Sequence, residues 1–422
     1  MPVLLIAALI VFLEGMSFTV VLPVLTPLTD ELGGTVTVAG LLFALSVGPR
    51  VFFAPFWGRV SDRRGRRPIL VVATLGTLAA SLLLALCQTL DGVVFSALIW
   101  LLLSRTLYGV FAVQSVVGSA IVSDITTPEK RAAGLGALGA AFGLAFTAGP
   151  AIGGYIASTF GPTTVGYLAA MLQLASLGLI FLALKETHPA TPLAPPTSSA
   201  AKRDADEAPV DGDAFAAPKS LLHLITFPAV AWMLTICLLG TAAYSVLFPT
   251  FPALADDWYS WSVARVGAAL SVFGLVGAFV QGGMIRPTIK RLGERATAQL
   301  GLAILAAGLL WIATQPGEGG FWTAAILMAI GTGFSVPAVM AMLSLAVSET
   351  DQGSVHGLTQ SATAGGRAVG YLIGGTLFTA ISPAFAYATA GIVAVAMVVM
   401  LLAPLAGHKH PQEKRAPETA DA

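Results

Sequence analysis

Charge is scarce in this sequence: Asp, Glu, Lys and Arg make up 10% of 422 residues, against roughly 25% in a soluble domain. Acids and bases balance at 22 each, so no net field would draw the chain to nucleic acid. Cysteine is rarer still. Cys87 and Cys237 both fall within apolar runs, have no metal-ligand spacing and read as small buried hydrophobes. Histidine, with five residues, is also sparse: His408 and His410 lie in a polar tail better read as solvated than as a metal site, and His223 and His356 fall near the ends of apolar runs. Neither pattern offers a nucleophile with its base or a metal cluster, so an enzyme is a weak reading and no cofactor is implied. What is abundant is apolar residues, 56% of the chain with a mean hydropathy of +0.83. This is a polytopic membrane protein.

A helical span needs about 20 apolar residues. Twelve such runs are expected, at roughly 3–23, 38–57, 69–88, 93–122, 132–158 and 162–184, then 222–252, 263–285, 297–314, 321–347, 355–381 and 383–405. The apolar amino terminus lacks a basic leader and a small-residue cleavage site, so it reads as the first span and not as a signal peptide. Between the two sets lies a stretch rich in Pro, Ala and charge, including Lys-Arg-Asp-Ala-Asp-Glu at 202–207. It reads as a linker, giving a first bundle over 1–184, a linker over 185–220, a second bundle over 221–407 and a tail over 408–422.

Basic residues orient the spans. Of 22 Lys and Arg, 18 fall in the linker, the tail or loops on one side, leaving Arg50, Arg105, Arg265 and Arg367. Asp30, Glu31, Asp91, Asp256, Asp257 and Glu318 fall on the other side. Basic loops stay cytoplasmic, so both termini are expected there.

The densest basic loop is Gly58 to Pro68, with Arg59, Arg63, Arg64, Arg66 and Arg67 in eleven residues. A merely basic loop explains the arginines but not Gly58, Asp62 and Gly65. The pattern G-x-x-x-D-R-x-G-R-R resembles the loop signature between helices two and three of the major facilitator superfamily of transporters. That resemblance implies an all-α fold of 12 transmembrane helices in two pseudo-symmetric six-helix bundles. The two halves echo each other in support: Pro23 and Asp30 line up with Pro249 and Asp256, and Gly136, Gly149, Gly153 and Gly154 recur at one offset as Gly357, Gly370, Gly374 and Gly375. A degenerate loop copy, Lys290 to Arg295, places Gly293 opposite Gly65. Such repeats suit a substrate site between halves that rock about it.

Four groups of residues carry candidate chemistry. Gly149-Pro150-Ala-Ile-Gly153-Gly154 resembles the antiporter motif of drug-exporting facilitators, with Ala145 where that pattern has another glycine. Small-residue packing accounts for part of it. Glu14 is the one carboxylate deep in a span, about 12 residues in and so near mid-bilayer at about 1.5 Å per residue. Burial there disfavours its ionised form, which suits a group that takes up and releases a proton, though a neutral hydrogen-bonded Glu is the alternative. Arg105, in Arg-Thr-Leu-Tyr-Gly, resembles the R-x-x-x-G motif implicated in proton coupling; Glu14 or backbone carbonyls are its expected partners. Asp124 resembles the usual partner of the basic loop, and with Gly58, Asp62, Arg63, Gly65, Arg66 and Arg67 it is expected to form a cytoplasmic gate, with Asp62 near the start of span 11. Arg50 and Arg367 lie on spans 2 and 11, which face each other across the cavity in the facilitator fold, and suggest with Glu14 an anionic or zwitterionic substrate. Snorkelling explains Arg50 equally well.

The resemblance is to tetracycline-type proton antiporters, and it extends through Phe273-Gly274, Arg291 to Arg295, Met342 to Ser344, Gln352-Gly353 and Leu377 to Ile381. Those exporters carry a histidine in helix eight and an acid in helix nine; neither is present here, so the resemblance stops short of tetracycline itself. The expected function is export of small organic compounds in exchange for protons by a monomer in a bacterial inner membrane. Uptake of an organic anion and flipping of an amphipathic lipid are the alternatives.

Overall fold

The computed structural model describes residues 2–187, 228–345 and 352–402. The expected linker falls largely within 188–227 and the tail within 403–422, outside the described residues. A chain in hydrocarbon must satisfy its backbone internally, and every described element is helical. In the first half these are α1 (Pro2–Thr19), α2 (Leu25–Glu31), α3 (Val36–Val47), α4 (Arg50–Arg64), α5 (Arg66–Leu86), α6 (Ala97–Phe111), α7 (Gln114–Ile125), α8 (Pro128–Phe160) and α9 (Thr164–Leu182). In the second half they are α10 (Pro228–Ser245), α11 (Leu247–Tyr259), α12 (Val263–Phe279), a π-helical turn Val280–Met284, α13 (Ile285–Ala313), α14 (Glu318–Leu345), α15 (Gln352–Ala380) and α16 (Pro383–Met400).

These elements make the twelve spans. Among the described residues, nine helices are long and apolar enough to cross a membrane. One of them, Val263–Ala313, holds spans 8 and 9, which part at Gly293 with φ +79°. Val3–Thr19 is a shorter apolar helix and, with α2, makes span 1. Span 11 is α15, whose run of Gly, Ser and Thr lowers its hydropathy.

Several spans are broken where the sequence reads as one run. Span 1 turns between Thr19 and Leu25, around Pro23, and span 2 breaks at Gly48-Pro49 between α3 and α4. Proline cannot donate to the carbonyl four residues back, which accounts for both. Span 4 opens at Ala112-Val113 without a proline, and span 8 runs past the expected 285 to the turn at Gly293.

The halves meet along spans 2 and 11, spans 5 and 8, and α2 and α11. At the acidic end these contacts are backbone-close. A Cβ on Gly40 would lie 2.4 Å from the Tyr371 carbonyl oxygen, one on Gly375 2.5 Å from that of Val36, and one on Gly267 2.3 Å from that of Pro150. Thr26 Oγ1 donates to the Pro249 carbonyl at 2.9 Å, and the Ala151 N–H donates to Ser271 Oγ at 2.9 Å. Toward the basic end spans 5 and 8 separate. A Cβ on Gly136, Gly139 or Gly143, or on Gly277, Gly282 or Gly283, would meet nothing within 4 Å. Among the described residues the halves are packed together at the acidic end, and spans 5 and 8 diverge toward the basic end.

Candidate functional site

Inside the first half Glu14, Arg50, Arg105 and Tyr108 lie together, with Arg50 the one partly exposed. Glu14, on α1, is 1% exposed, and its Oε1 lies 3.3 Å from Nη2 of Arg50, whose side chain is 20% exposed. The Arg50 guanidinium also sits over the rings of Phe18 and Tyr108, 5.8 and 5.6 Å from their centroids. Ion pair and ring faces together hold a guanidinium that would otherwise be costly at this depth.

Arg105 does not take the partner expected for it. It is 2% exposed; its Nε and Nη2 donate to Ser104 Oγ at 3.3 and 3.0 Å, and its guanidinium lies 5.4 Å from the Tyr108 ring centroid. Glu14 is engaged by Arg50 instead, and by Tyr108, whose hydroxyl donates to the Glu14 carbonyl at 3.4 Å. Tyr108 thus has Arg50 and Arg105 over one ring. The glycine of the same motif has a separate cause. Pro49 cannot donate to the Leu45 carbonyl, and a Cβ on Gly109 would lie 2.2 Å from that oxygen, so only glycine lets span 4 approach the break in span 2.

Across the opening, Arg367 on α15 is half-buried, and its Nε is buried without a hydrogen-bond partner. Tyr371 lies one turn on. From there an aromatic chain crosses between the halves: Phe43 to Tyr371 at 5.4 Å, Tyr371 to Phe248 at 6.0 Å, and Phe248 to Phe146 at 6.1 Å between centroids. Tyr244 and Phe273 stack beside it at 5.7 Å. Arginines and aromatic faces on opposite walls suit a planar organic molecule with an acidic group.

In the antiporter motif, Gly149 and Gly153 face span 1: a Cβ on them would lie 2.0 Å from Thr19 Oγ1 and 1.9 Å from the Val20 carbonyl oxygen. Gly154 faces span 8, 2.6 Å from the Val263 carbonyl oxygen by the same measure. Pro150 leaves the Phe146 carbonyl without its helical donor, and a Cβ on Gly274 would lie 2.8 Å from that oxygen. Ala145, the departure from the pattern, is fully buried and accepts a 2.9 Å bond from Thr19 through its carbonyl.

The basic loop is a closed network. Arg66, 6% exposed, donates from Nε to Asp124 Oδ2 at 2.9 Å and from Nη1 to Ser61 Oγ at 2.7 Å, and it pairs with Asp62. Gly65 turns the chain with φ +96°, and the N–H groups of Arg66 and Arg67 donate to the Glu186 carboxylate at 2.8 and 3.1 Å. Arg67 Nη2 donates to the Phe181 carbonyl at 2.9 Å. Arg63 is exposed and Gly58 has open space around it. Among the described residues these partners belong to the first half, and the network braces spans 2, 3, 4 and 6. The expected contact of Asp62 with the start of span 11 falls beside 346–351, outside the described residues. Glu186 was not expected. A carboxylate at the amino terminus of α5 meets free N–H groups and the positive end of the helix dipole, but its place just past span 6 gives no sign of this in the sequence.

Cys87 and Cys237 are buried free thiols, as their apolar surroundings suggest.

Known proteins fit this architecture along its whole length. The tetracycline resistance protein of class E from Escherichia coli is 30% identical over 386 residues, covering 89% of this chain and 87% of its own. Two solved structures share the fold: the human organic anion transporter MFSD10 (TETRAN), with TM-score 0.66 and 22% identity over 95% of this chain and 99% of its own, and a bacterial homologue of the human lysosomal transporter Spinster, inward-facing and unoccupied, with TM-score 0.72 and 16% identity over 95% and 94%. The family model of the Major Facilitator Superfamily matches over residues 7–287 and 241–421, which together take in both halves. The chain is a transporter of the Major Facilitator Superfamily, with the 12-helix, two-bundle fold of that family.

Proposed function

We propose that the protein exports small organic compounds, drug-like or anionic and zwitterionic, in exchange for protons by alternating access. The observation that carries this reading is the buried Glu14–Arg50 pair on the wall of the opening between the halves. A carboxyl at this depth is stable either as an ion pair or as the neutral acid, and one proton moves it from one to the other. Arg105 adds positive charge near the pair, and the Tyr108 ring faces both guanidinium groups and steadies Arg50. The basic end is the cytoplasmic end, both termini lie there, and the form that opens at that end faces inward in a bacterial inner membrane. Residues 1–184 and 221–407 move as the two bodies, a linker over 185–220 joins them, 408–422 trails as a tail, and the monomer suffices. Pro150 and Gly154 let the bodies touch, Gly149 and Gly153 seat span 5 against span 1, and Asp62, Arg66, Arg67 and Asp124 keep the first body rigid. The similarity to tetracycline resistance proteins supports efflux over other directions.

Reconstituted protein tests the proton site. Glu14→Gln should lose uphill, pH-driven accumulation of substrate by more than tenfold while keeping energy-independent counterflow. Normal uphill transport by this variant overturns the assignment.

Arg367 favours a second reading, uptake of an organic anion together with a proton. Protonating Glu14 frees Arg50, so an anion and a proton would bind together, whereas a cationic substrate would compete with the proton for Glu14. Substrate-induced proton movement distinguishes the two: release on binding supports export by exchange, and uptake on binding supports symport.

A further inference from the structure

The interior of the first half is not one apolar core. Ile10, Val11, Ile69, Val117 and Ile180 form a cluster toward the basic end, and Val20, Leu84, Leu101 and Val165 belong to another toward the acidic end. Between the two clusters, on four different spans, lies a layer of buried polar side chains.

Packing sets their depth. A Cβ on Gly118 would lie 3.0 Å from Val11 Cγ2, and spans 1 and 4 run antiparallel, so Gln114 stands level with Glu14. A Cβ on Gly166 would lie 2.5 Å from the Ala85 nitrogen, and spans 3 and 6 also run antiparallel, so Gln173 stands level with Thr77 and Ser176 with Thr74. Thr77 Oγ1 accepts from Gln114 Nε2 at 3.1 Å. The rest of the layer lacks protein partners: Gln114 Oε1, Thr74 Oγ1, Ser176 Oγ, Ser17 Oγ and both amide atoms of Gln173 are buried and unbonded. So is Glu14 Oε2, the oxygen Arg50 does not engage. Native interiors seldom leave one such group unmet, and several together at one depth on converging helices mark a place for water, which needs two to four polar partners apiece.

The repeat shows that the fold does not require these residues. The offset carrying Gly65 onto Gly293 carries Thr74 and Thr77 onto Leu302 and Leu305; the offset carrying Pro162 onto Pro383 carries Gln173 and Ser176 onto Ala394 and Met397. All four counterparts are buried in the larger apolar cluster, which runs through both halves.

We infer that this layer is a site for ordered water and that Glu14 exchanges its proton through it, on the side of the carboxyl away from Arg50. The inference rests on the reading of Glu14 as the proton site. In the transfer, a water hydrogen-bonded to Glu14 Oε2 takes the carboxyl proton on its own oxygen and yields one of its other protons to the next water. The amides and hydroxyls orient the chain and are not consumed. The layer residues are therefore positioning residues.

Infrared difference spectroscopy of the full chain in lipid nanodiscs follows the Glu14 carboxyl band and its shift when H2O is replaced by D2O. Gln173→Leu and Gln114→Leu should leave that band present and slow its isotope shift several-fold, with counterflow unchanged. An unchanged exchange rate in both variants overturns the route. The water site is tested without any variant, in a map of the wild-type protein that resolves solvent. Water within hydrogen-bond distance of Gln173 Nε2 or Oε1 supports the site, and Gln173 bonded to protein groups in a dry layer overturns it. A wild-type protein with no pH-sensitive carboxyl band removed by Glu14→Gln would overturn the proton-site reading instead, while the map would still decide the layer.

Discussion

The two halves share a backbone plan and divide the chemistry unequally. The alignment that carries Pro23 onto Pro249 carries Glu14 onto Gly240, so the second half has no acid where the first has its ion pair. The basic loop and its copy differ in the same way. Gly65 and Gly293 both turn with positive φ, and Arg67 and Arg295 both donate to carbonyls at the end of a following span, Phe181 at 2.9 Å and Leu401 at 2.6 Å. Arg66, the hub of the first network, is answered by Glu294. What both halves keep is backbone geometry; what one keeps is charge. The difference teaches that the repeat preserves the turns and the glycine surfaces of the backbone, whereas buried charge is carried by one copy.

The largest effect should come from breaking what the halves share. Gly154→Val and Gly375→Val each place side-chain atoms against a backbone of the opposite half, where even a Cβ would lie 2.6 Å from Val263 O or 2.5 Å from Val36 O. Both should cut transport more than tenfold and raise cysteine labelling at the acidic end to a similar degree. A large effect from one and none from the other would break the symmetry.

Removing what they do not share should separate them. Arg66→Ala leaves Asp124 and the Asp62 pair without their donor and should destabilise the protein by about 2–3 kcal/mol, the range for hydrogen bonds to charged groups. Glu294→Ala, at the matching place, should stay within about 0.5 kcal/mol. Thermal unfolding in one detergent measures both, and equal losses would mean that the copy loop is braced as well.

A smaller effect is expected at the substrate. Arg367→Lys keeps the charge and loses the planar fork, so affinity for carboxylate-bearing compounds should fall about tenfold, with neutral compounds little changed. Equal loss for both classes would return Arg367 to a structural part.

The smallest effect sharpens the likeness. Arg67→Ala and Arg295→Ala each remove a cation from helix-end carbonyls, worth about 0.3–1 kcal/mol, and their unfolding shifts should match.

Much of this arrangement is legible in the residues alone. Hydropathy locates the spans because lipid demands long helices, and the glycine repeats locate the surfaces where they touch. The breaks are less visible: Pro23 and Pro49 announce two, but Ala112-Val113 opens span 4 with ordinary residues. Glu14 stands out as an acid in an apolar run, yet its pairing with Arg50 spans 36 residues and depends on how two helices are rotated, which no local pattern encodes. Glu186 and the Gln173 layer escape notice for the same reason, since a polar residue in a span declares its cost but not its company.

The glycine-to-carbonyl contacts at the acidic end also bear on how readily the halves part. Most protein surfaces that separate and meet again must freeze and release side-chain rotamers, and each ordered long side chain costs about 0.5–2 kcal/mol of entropy. Here Gly40, Gly267 and Gly375 present hydrogens to carbonyl oxygens and have no rotamers to reorder. At these three points the seam would part and meet again with no side-chain entropy to lose or regain.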